Sequence, residues 1–193
     1  MSARRDRASD APLLAWGDAL RRANLDRRRR NRRIALVGAG AACLLATIAL
    51  PPAPRLLWNA SASAPEGLYA VSPGASPAPG DMVIAWAPEP YRRLAATRHY
   101  LPINVPLVKR VAASAGDQVC AIGTDITING RRVAERRAVD GADRPMPRWT
   151  GCVRLRGSQL FLLTNDPASF DGRYFGVTEG EDVIGKARLL WRR

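Results

Sequence analysis

A charge-free run of seventeen residues, IALVGAGAACLLATIAL at Ile34–Leu50, constrains this chain more than any other feature, because of what stands before it. Eleven arginines precede Ile34 (Arg4, Arg5, Arg7, Arg21, Arg22, Arg27 to Arg30, Arg32 and Arg33) against four aspartates, a surplus of seven positive charges. The apolar stretch continues through Pro51, Pro52, Ala53 and Pro54 to Arg55. A helix rises about 1.5 Å per residue and the hydrocarbon core is about 30 Å thick, so such a run is just long enough to cross. A cleaved signal peptide fits poorly because the basic region before the run is so long. A buried core helix fits poorly because Arg-Arg-Arg-Arg-Asn-Arg-Arg adjoins it. The expectation is a signal anchor at residues 34–54, a basic cytoplasmic tail at 1–33 with little stable structure beyond a short amphipathic stretch (Leu13, Leu14, Trp16, Leu20), and an exported domain at 55–193.

The net charge of +13 would otherwise suggest a nucleic-acid partner. More than half of the excess precedes the apolar run, Trp16 is the one aromatic residue there and makes no interleaved pattern with the arginines, and no reader module follows. The topogenic account is simpler, the partner is the lipid bilayer, and no nucleic acid is expected. Cys43 falls inside the apolar run, whereas Cys120 and Cys152 fall in the exported portion. An oxidising compartment would let those two pair, with two buried thiols as the competing reading.

Beyond the anchor, the signals are mainly those of strands. Ser72–Gly80 reads as a loop, Met82–Trp86 as a strand, and the proline-interrupted stretch to Pro106 as irregular. Strand patterns follow at 107–112, 118–122, 126–128, 153–155, 159–164 and 183–191. Asn129-Gly130 is a type I′ hairpin signal joining 126–128 to Arg131-Arg132-Val133. A mainly β exported domain is expected.

Several chemistries are excluded by composition. His99 is the single histidine, there is no Cys-x-x-Cys, and neither an Asp-Thr/Ser-Gly nor a phosphate-binding glycine pattern occurs, so no metal or cofactor is expected. Lysine usage is more informative: of thirty basic residues only Lys109 and Lys186 are lysines. A guanidinium keeps its proton at any working pH, whereas a desolvated ammonium can lose one, so only lysine serves as a general base. In Leu107-Val108-Lys109-Arg110-Val111, alternation puts Lys109 on the face of Leu107 and Val111, although a strand lysine reaching solvent has the same pattern. A nucleophile is available in Asn59-Ala60-Ser61-Ala62-Ser63-Ala64-Pro65-Glu66-Gly67-Leu68-Tyr69, just past the anchor. By composition alone this segment is a flexible linker.

Three segments together resemble the signal peptidases, and among them the TraF-type peptidases of conjugative transfer systems. Ser61-Ala62-Ser63-Ala64-Pro65, continued by Glu66-Gly67-Leu68-Tyr69, resembles the serine box. Leu107 to Val111 followed by Ala115-Gly116-Asp117-Gln118-Val119 resembles the lysine box. Asn165-Asp166-Pro167-Ala168-Ser169-Phe170-Asp171-Gly172-Arg173-Tyr174-Phe175-Gly176, with Val183-Ile184-Gly185-Lys186-Ala187, resembles the closing box. The three stand in family order across most of Asn59 to Trp191.

The resemblance implies an antiparallel β catalytic domain of signal-peptidase type behind one N-terminal transmembrane helix. It implies Ser63 as nucleophile and Lys109 as general base, with Ser61 offering a hydroxyl to the oxyanion beside the N–H of Ser63. Ser169 would orient the lysine, and Asp171 with Arg173 would form a supporting ion pair, although Asp-Gly-Arg can equally be a plain turn. Trp149-Thr150-Gly151-Cys152, with Val119-Cys120, is similar to the TraF type and favours the disulfide. Two departures from general signal peptidases are the single residue between Ser63 and Pro65, which leaves Ser61 as an alternative nucleophile, and Gly172 where serine is common. The implied enzyme is a single-pass protein of the cytoplasmic membrane with its catalytic domain outside, processing an exported precursor such as a pilin. A general signal peptidase, a self-cleaving Ser/Lys regulator and a non-catalytic tethered assembly factor are the rivals.

Overall fold

The computed structural model describes residues 11–49 and 54–193, and the chain divides into two units, Met1–Pro52 and Ala53–Arg193. In the first unit, helix α1 runs from Ala11 to Ala49. Its 39 residues make about 58 Å of helix, roughly twice the thickness of a hydrocarbon core. It is long and apolar enough to cross a membrane. The expected unstructured tail is therefore helical from Ala11 onward. Alanine, leucine and arginine are all strong helix formers, and once the apolar segment has formed turns, each further residue adds a hydrogen bond at little cost. Trp16 and Leu20 are both exposed on it. Residues 1–10 of the expected tail and 50–53 of the expected anchor lie outside the described residues.

The second unit holds two antiparallel sheets. The larger is built from β1 (Leu56–Asn59), β2 (Gly67–Ser72), β3 (Met82–Ala85), β4 (Leu107–Ala113), β9 (Phe161–Leu163) and β10 (Val183–Arg192), in the order β1-β2-β10-β3-β4-β9. The smaller is built from β5 (Gln118–Ile122), β6 (Asp125–Ile128), β7 (Arg131–Glu135) and β8 (Gly151–Arg154), in the order β7-β6-β5-β8. The strands expected from alternation are present, with β8 two residues earlier than its apolar signal. The Asn129-Gly130 turn has φ of 51° and 79°, the two positive values a type I′ hairpin needs. β1 and β2 were not expected, because what defines them is pairing with each other and with β10.

Within the stretch expected to be irregular, helix α2 occupies Glu89–Thr97. Pro90 sits in its first turn, where the missing N–H has no partner to lose, and Glu89 pairs with Arg93 one turn on. A single-turn helix, α3 (Gly172–Phe175), is capped by the Asp171 carboxylate.

Apolar packing joins the sheets and fixes the site. Val119, Ala121, Ile126, Leu155, Phe161 and Leu163 form the core between the end of the larger sheet and the smaller one. Tyr69, Val71, Ile84, Val108 and Ala187 form another across β2, β10, β3 and β4. Each fully buried large side chain of this kind contributes on the order of 1.5–3 kcal/mol. β4 is buried on both faces from Leu107 to Lys109, and only Arg110 is exposed in its first five residues.

Candidate active site

The turn between β1 and β2 carries the serines. Asn59 ends β1, is buried, and places its Nδ2 within hydrogen-bond reach of three carbonyls: Ser61 at 3.0 Å, Ala64 at 3.2 Å and Pro65 at 3.1 Å. Its Oδ1 accepts the N–H of Ser61 at 3.1 Å. From β2, the buried Tyr69 donates its hydroxyl to Pro65 O at 2.8 Å. This short segment, a linker by composition, is thus held at both ends. Neither Asn59 nor Tyr69 had been assigned a role; an Asn closing an apolar strand before a turn was the available signal.

Lys109 points from β4 toward that turn. Its Nζ lies 2.9 Å from Ser63 Oγ and 2.5 Å from Ser169 Oγ. The residue is only 2% exposed, opposite Val83 in the β3 register and on the same face as Leu107 and Val111, as alternation predicts. Burial is the main cause that lowers its pKa from 10.5 to about 8, since desolvation penalises the ammonium more than the amine. The Asp171 carboxylate opposes that shift and the Arg173 guanidinium assists it.

Ser61 Oγ is 3.0 Å from Ser63 Oγ and accepts the Ser63 N–H at 3.4 Å. The hydroxyl of Ser61 thus stands beside both the hydroxyl and the amide of Ser63. Lys109 reaches Ser63 and not Ser61, which favours Ser63 over the alternative nucleophile. Asp171 and Arg173 form a buried ion pair, Nε to Oδ1 at 2.8 Å, rather than a plain turn. The second carboxylate oxygen of Asp171 accepts the N–H of Thr164 at 3.1 Å, and Arg173 Nη2 donates to Thr164 O at 2.8 Å. Satisfied on all sides, the pair locks the closing segment onto the end of β9, and this segment places Ser169 against the lysine. Gly172 follows from the same closeness: a Cβ there would lie 2.7 Å from the carbonyl oxygen of Leu162, so the serine common at this position in general signal peptidases has no room.

The structure thus brings Ser61, Ser63, Lys109, Ser169, Asp171 and Arg173 into one constellation. Cys120 and Cys152 stand apart from it, as directly opposed partners of β5 and β8 joined by a disulfide. Three cavities of about 480, 430 and 380 Å³ open onto Ser63. One is lined in part by Leu57, Trp58, Val105, Leu107 and Val108, another by Tyr100, Leu101, Val139, Met146 and Phe170. Among the described residues, no His, Cys, Asp and Glu side chains converge in a metal-binding group.

Residues 28–192 match the family model described as signal peptidase, peptidase S26. A plasmid transfer protein TraF of Escherichia coli is 33% identical over 91 residues, which is 44% of this chain and 51% of that protein. The chain therefore matches about half the length of that relative. A probable conjugal transfer protein TraF of Sinorhizobium fredii is 31% identical over 140 residues, covering 67% of this chain and 73% of the relative. A conjugal transfer protein TraF of Agrobacterium fabrum is 32% identical over 143 residues, covering 69% and 80%. Among solved structures, a signal peptidase I from Enterococcus faecalis is similar at 20% identity and a TM-score of 0.34, covering 58% of this chain and 97% of that one.

Proposed function

Because this chain belongs to the peptidase S26 family of signal peptidases, we propose that it is a membrane-anchored serine endopeptidase that cuts exported precursors with Ser63 as nucleophile and Lys109 as general base. The observation that carries the proposal is the buried Lys109 Nζ within 2.9 Å of Ser63 Oγ. With its pKa lowered to about 8, roughly a tenth of Lys109 is neutral at pH 7, against well under a thousandth for an unperturbed lysine.

Neutral Lys109 accepts the Ser63 hydroxyl proton as Oγ attacks the scissile carbonyl. The lysine keeps a hydrogen bond to Ser169 Oγ, which holds its rotamer. Charge developing on the carbonyl oxygen is met by the Ser63 N–H and the Ser61 hydroxyl. The lysine then protonates the departing amine, leaving an ester on Ser63. In the second half, an incoming nucleophile gives its proton to Lys109, attacks the ester and releases Ser63.

The helix α1 serves as the anchor, with the arginine-rich side in the cytoplasm and the β unit outside, in keeping with the positive-inside rule. The TraF relatives point to conjugal transfer, and the proposed substrate is a pilin-like precursor cut after small side chains. The test is cleavage of a co-expressed pilin precursor in membranes at matched enzyme levels. Ser63→Ala and Lys109→Arg should each lower cleavage at least about 10³-fold, and Ser61→Ala about 10²-fold. Processing at the unaltered rate by both Ser63→Ala and Lys109→Arg would remove the dyad and leave a tethered assembly role.

A further inference from the structure

The smaller sheet contributes no atom to the dyad, yet a side chain from the loop leading into it reaches the closing segment. Trp149, two residues before β8, donates its indole N–H to Gly172 O at 3.1 Å. Gly172 lies between Asp171 and Arg173, three residues after Ser169. The indole packs edge-on against Phe161 of β9 at 6.1 Å and lies against Gly176, where a Cβ would sit 3.6 Å from its ring.

Trp149 is itself fixed from the other side. Its carbonyl accepts Arg136 Nη1 at 2.7 Å, and the same buried guanidinium donates to Gly123 O through Nε at 3.1 Å and Nη2 at 2.7 Å. Three residues beyond Trp149, Cys152 is tied to Cys120. The indole is thus set by the β5–β6 turn on one flank and by a covalent bond on the other. From β7 and the loop after it, the closing segment receives two further polar contacts, Arg137 N–H to Tyr174 Oη at 3.2 Å and Arg173 Nη1 to Glu135 O at 3.5 Å.

We infer that Trp149 is a positioning residue for Lys109: its N–H holds the Ser169–Arg173 segment down on the lysine and keeps water from the amine. The inference rests on the reading of Lys109 as the base. If the hydrogen bond is lost, the segment lifts, water reaches Nζ, and the ammonium is stabilised. The charged groups around that amine are Asp171, Arg173 and Asp166 in the closing segment, with Arg137 and Asp140 lining the same cavity from the loop after β7. None of them is substituted in the test.

Because Lys109 and Lys186 are the only lysines, the full chain in detergent micelles labelled with 13Cε-lysine gives two resonances, and Lys109→Arg assigns them. In Trp149→Phe the Lys109 midpoint should rise from about 8 by roughly one pH unit. Lys186, paired with Asp81 at 2.8 Å, should not move. If Trp149→Phe does not fold, benzothienylalanine at position 149 removes the N–H and keeps the ring shape. On the same samples the acid limb of kcat/KM should move to higher pH by the same amount, with activity recovering on the alkaline plateau. An unmoved Lys109 midpoint, or both lysines moving together, would overturn the inference. An unaltered protein that cuts nothing, while the midpoint still shifts, would sink the peptidase reading and leave this one standing.

Discussion

The two sheets of the β unit are assembled differently. In the smaller one, β5, β6 and β7 are sequence neighbours paired through short turns, and only β8 comes from farther away, tied on by a disulfide. In the larger one, β10 lies between β2 and β3, which precede it by about a hundred residues, and the serine turn and the lysine strand are on opposite sides of it. Long-range pairing costs loop-closure entropy and returns the ability to bring distant residues together. The locally built sheet supports, and the non-locally built sheet brings Ser63 and Lys109 together.

That division can be broken by experiment. The largest effect is expected at Asn59: Asn59→Leu removes four hydrogen bonds of the serine turn and should cost about 10²-fold or more in kcat/KM. A thermal midpoint that falls with no loss of kcat/KM would make Asn59 a support residue only. Next comes the disulfide. It closes a separation of 32 residues, so Cys120→Ser with Cys152→Ser should lower stability by about 3 kcal/mol in denaturant unfolding. On the alkaline plateau kcat/KM should stay within about threefold, and a hundredfold loss there would put the smaller sheet in the chemistry.

Lys109→Met sharpens the contrast through pH. The folded pKa is lowered, so between about 8 and 10.5 the unfolded chain binds the proton and the folded one does not, and stability rises with pH in that window. This slope, up to about 1.4 kcal/mol per pH unit, should vanish in Lys109→Met. A persisting slope would assign it to another group. The smallest effect is expected from Gly130→Ala at the hairpin, about 1 kcal/mol of stability from the positive φ, with no change in cleavage.

What could be read from sequence follows the same line. The Asn129-Gly130 hairpin and the buried face of Lys109 depend on neighbours within a few positions, and both stand where local pattern puts them. β1 and β2 depend on β10, so Leu56–Asn59 and Gly67–Ser72 carried no sufficient local signal. The Ser61–Pro65 turn has linker composition because its order comes from Asn59 and Tyr69 and not from its own side chains. Arg136 looked like one arginine among twenty-eight, and only its three bonds to the carbonyls of Gly123 and Trp149 distinguish it.

The central place of β10 also bears on timing. A chain made from its N-terminus supplies the serine turn first, the lysine strand about forty residues later, and the strand that knits both into one sheet only at residues 183–192. Until that segment has emerged, β1 and β2 have no edge to dock on, and Ser63 has no fixed place beside Lys109. Such a topology works as a built-in delay: a half-made molecule carries Ser63 and Lys109 but cannot yet bring them together.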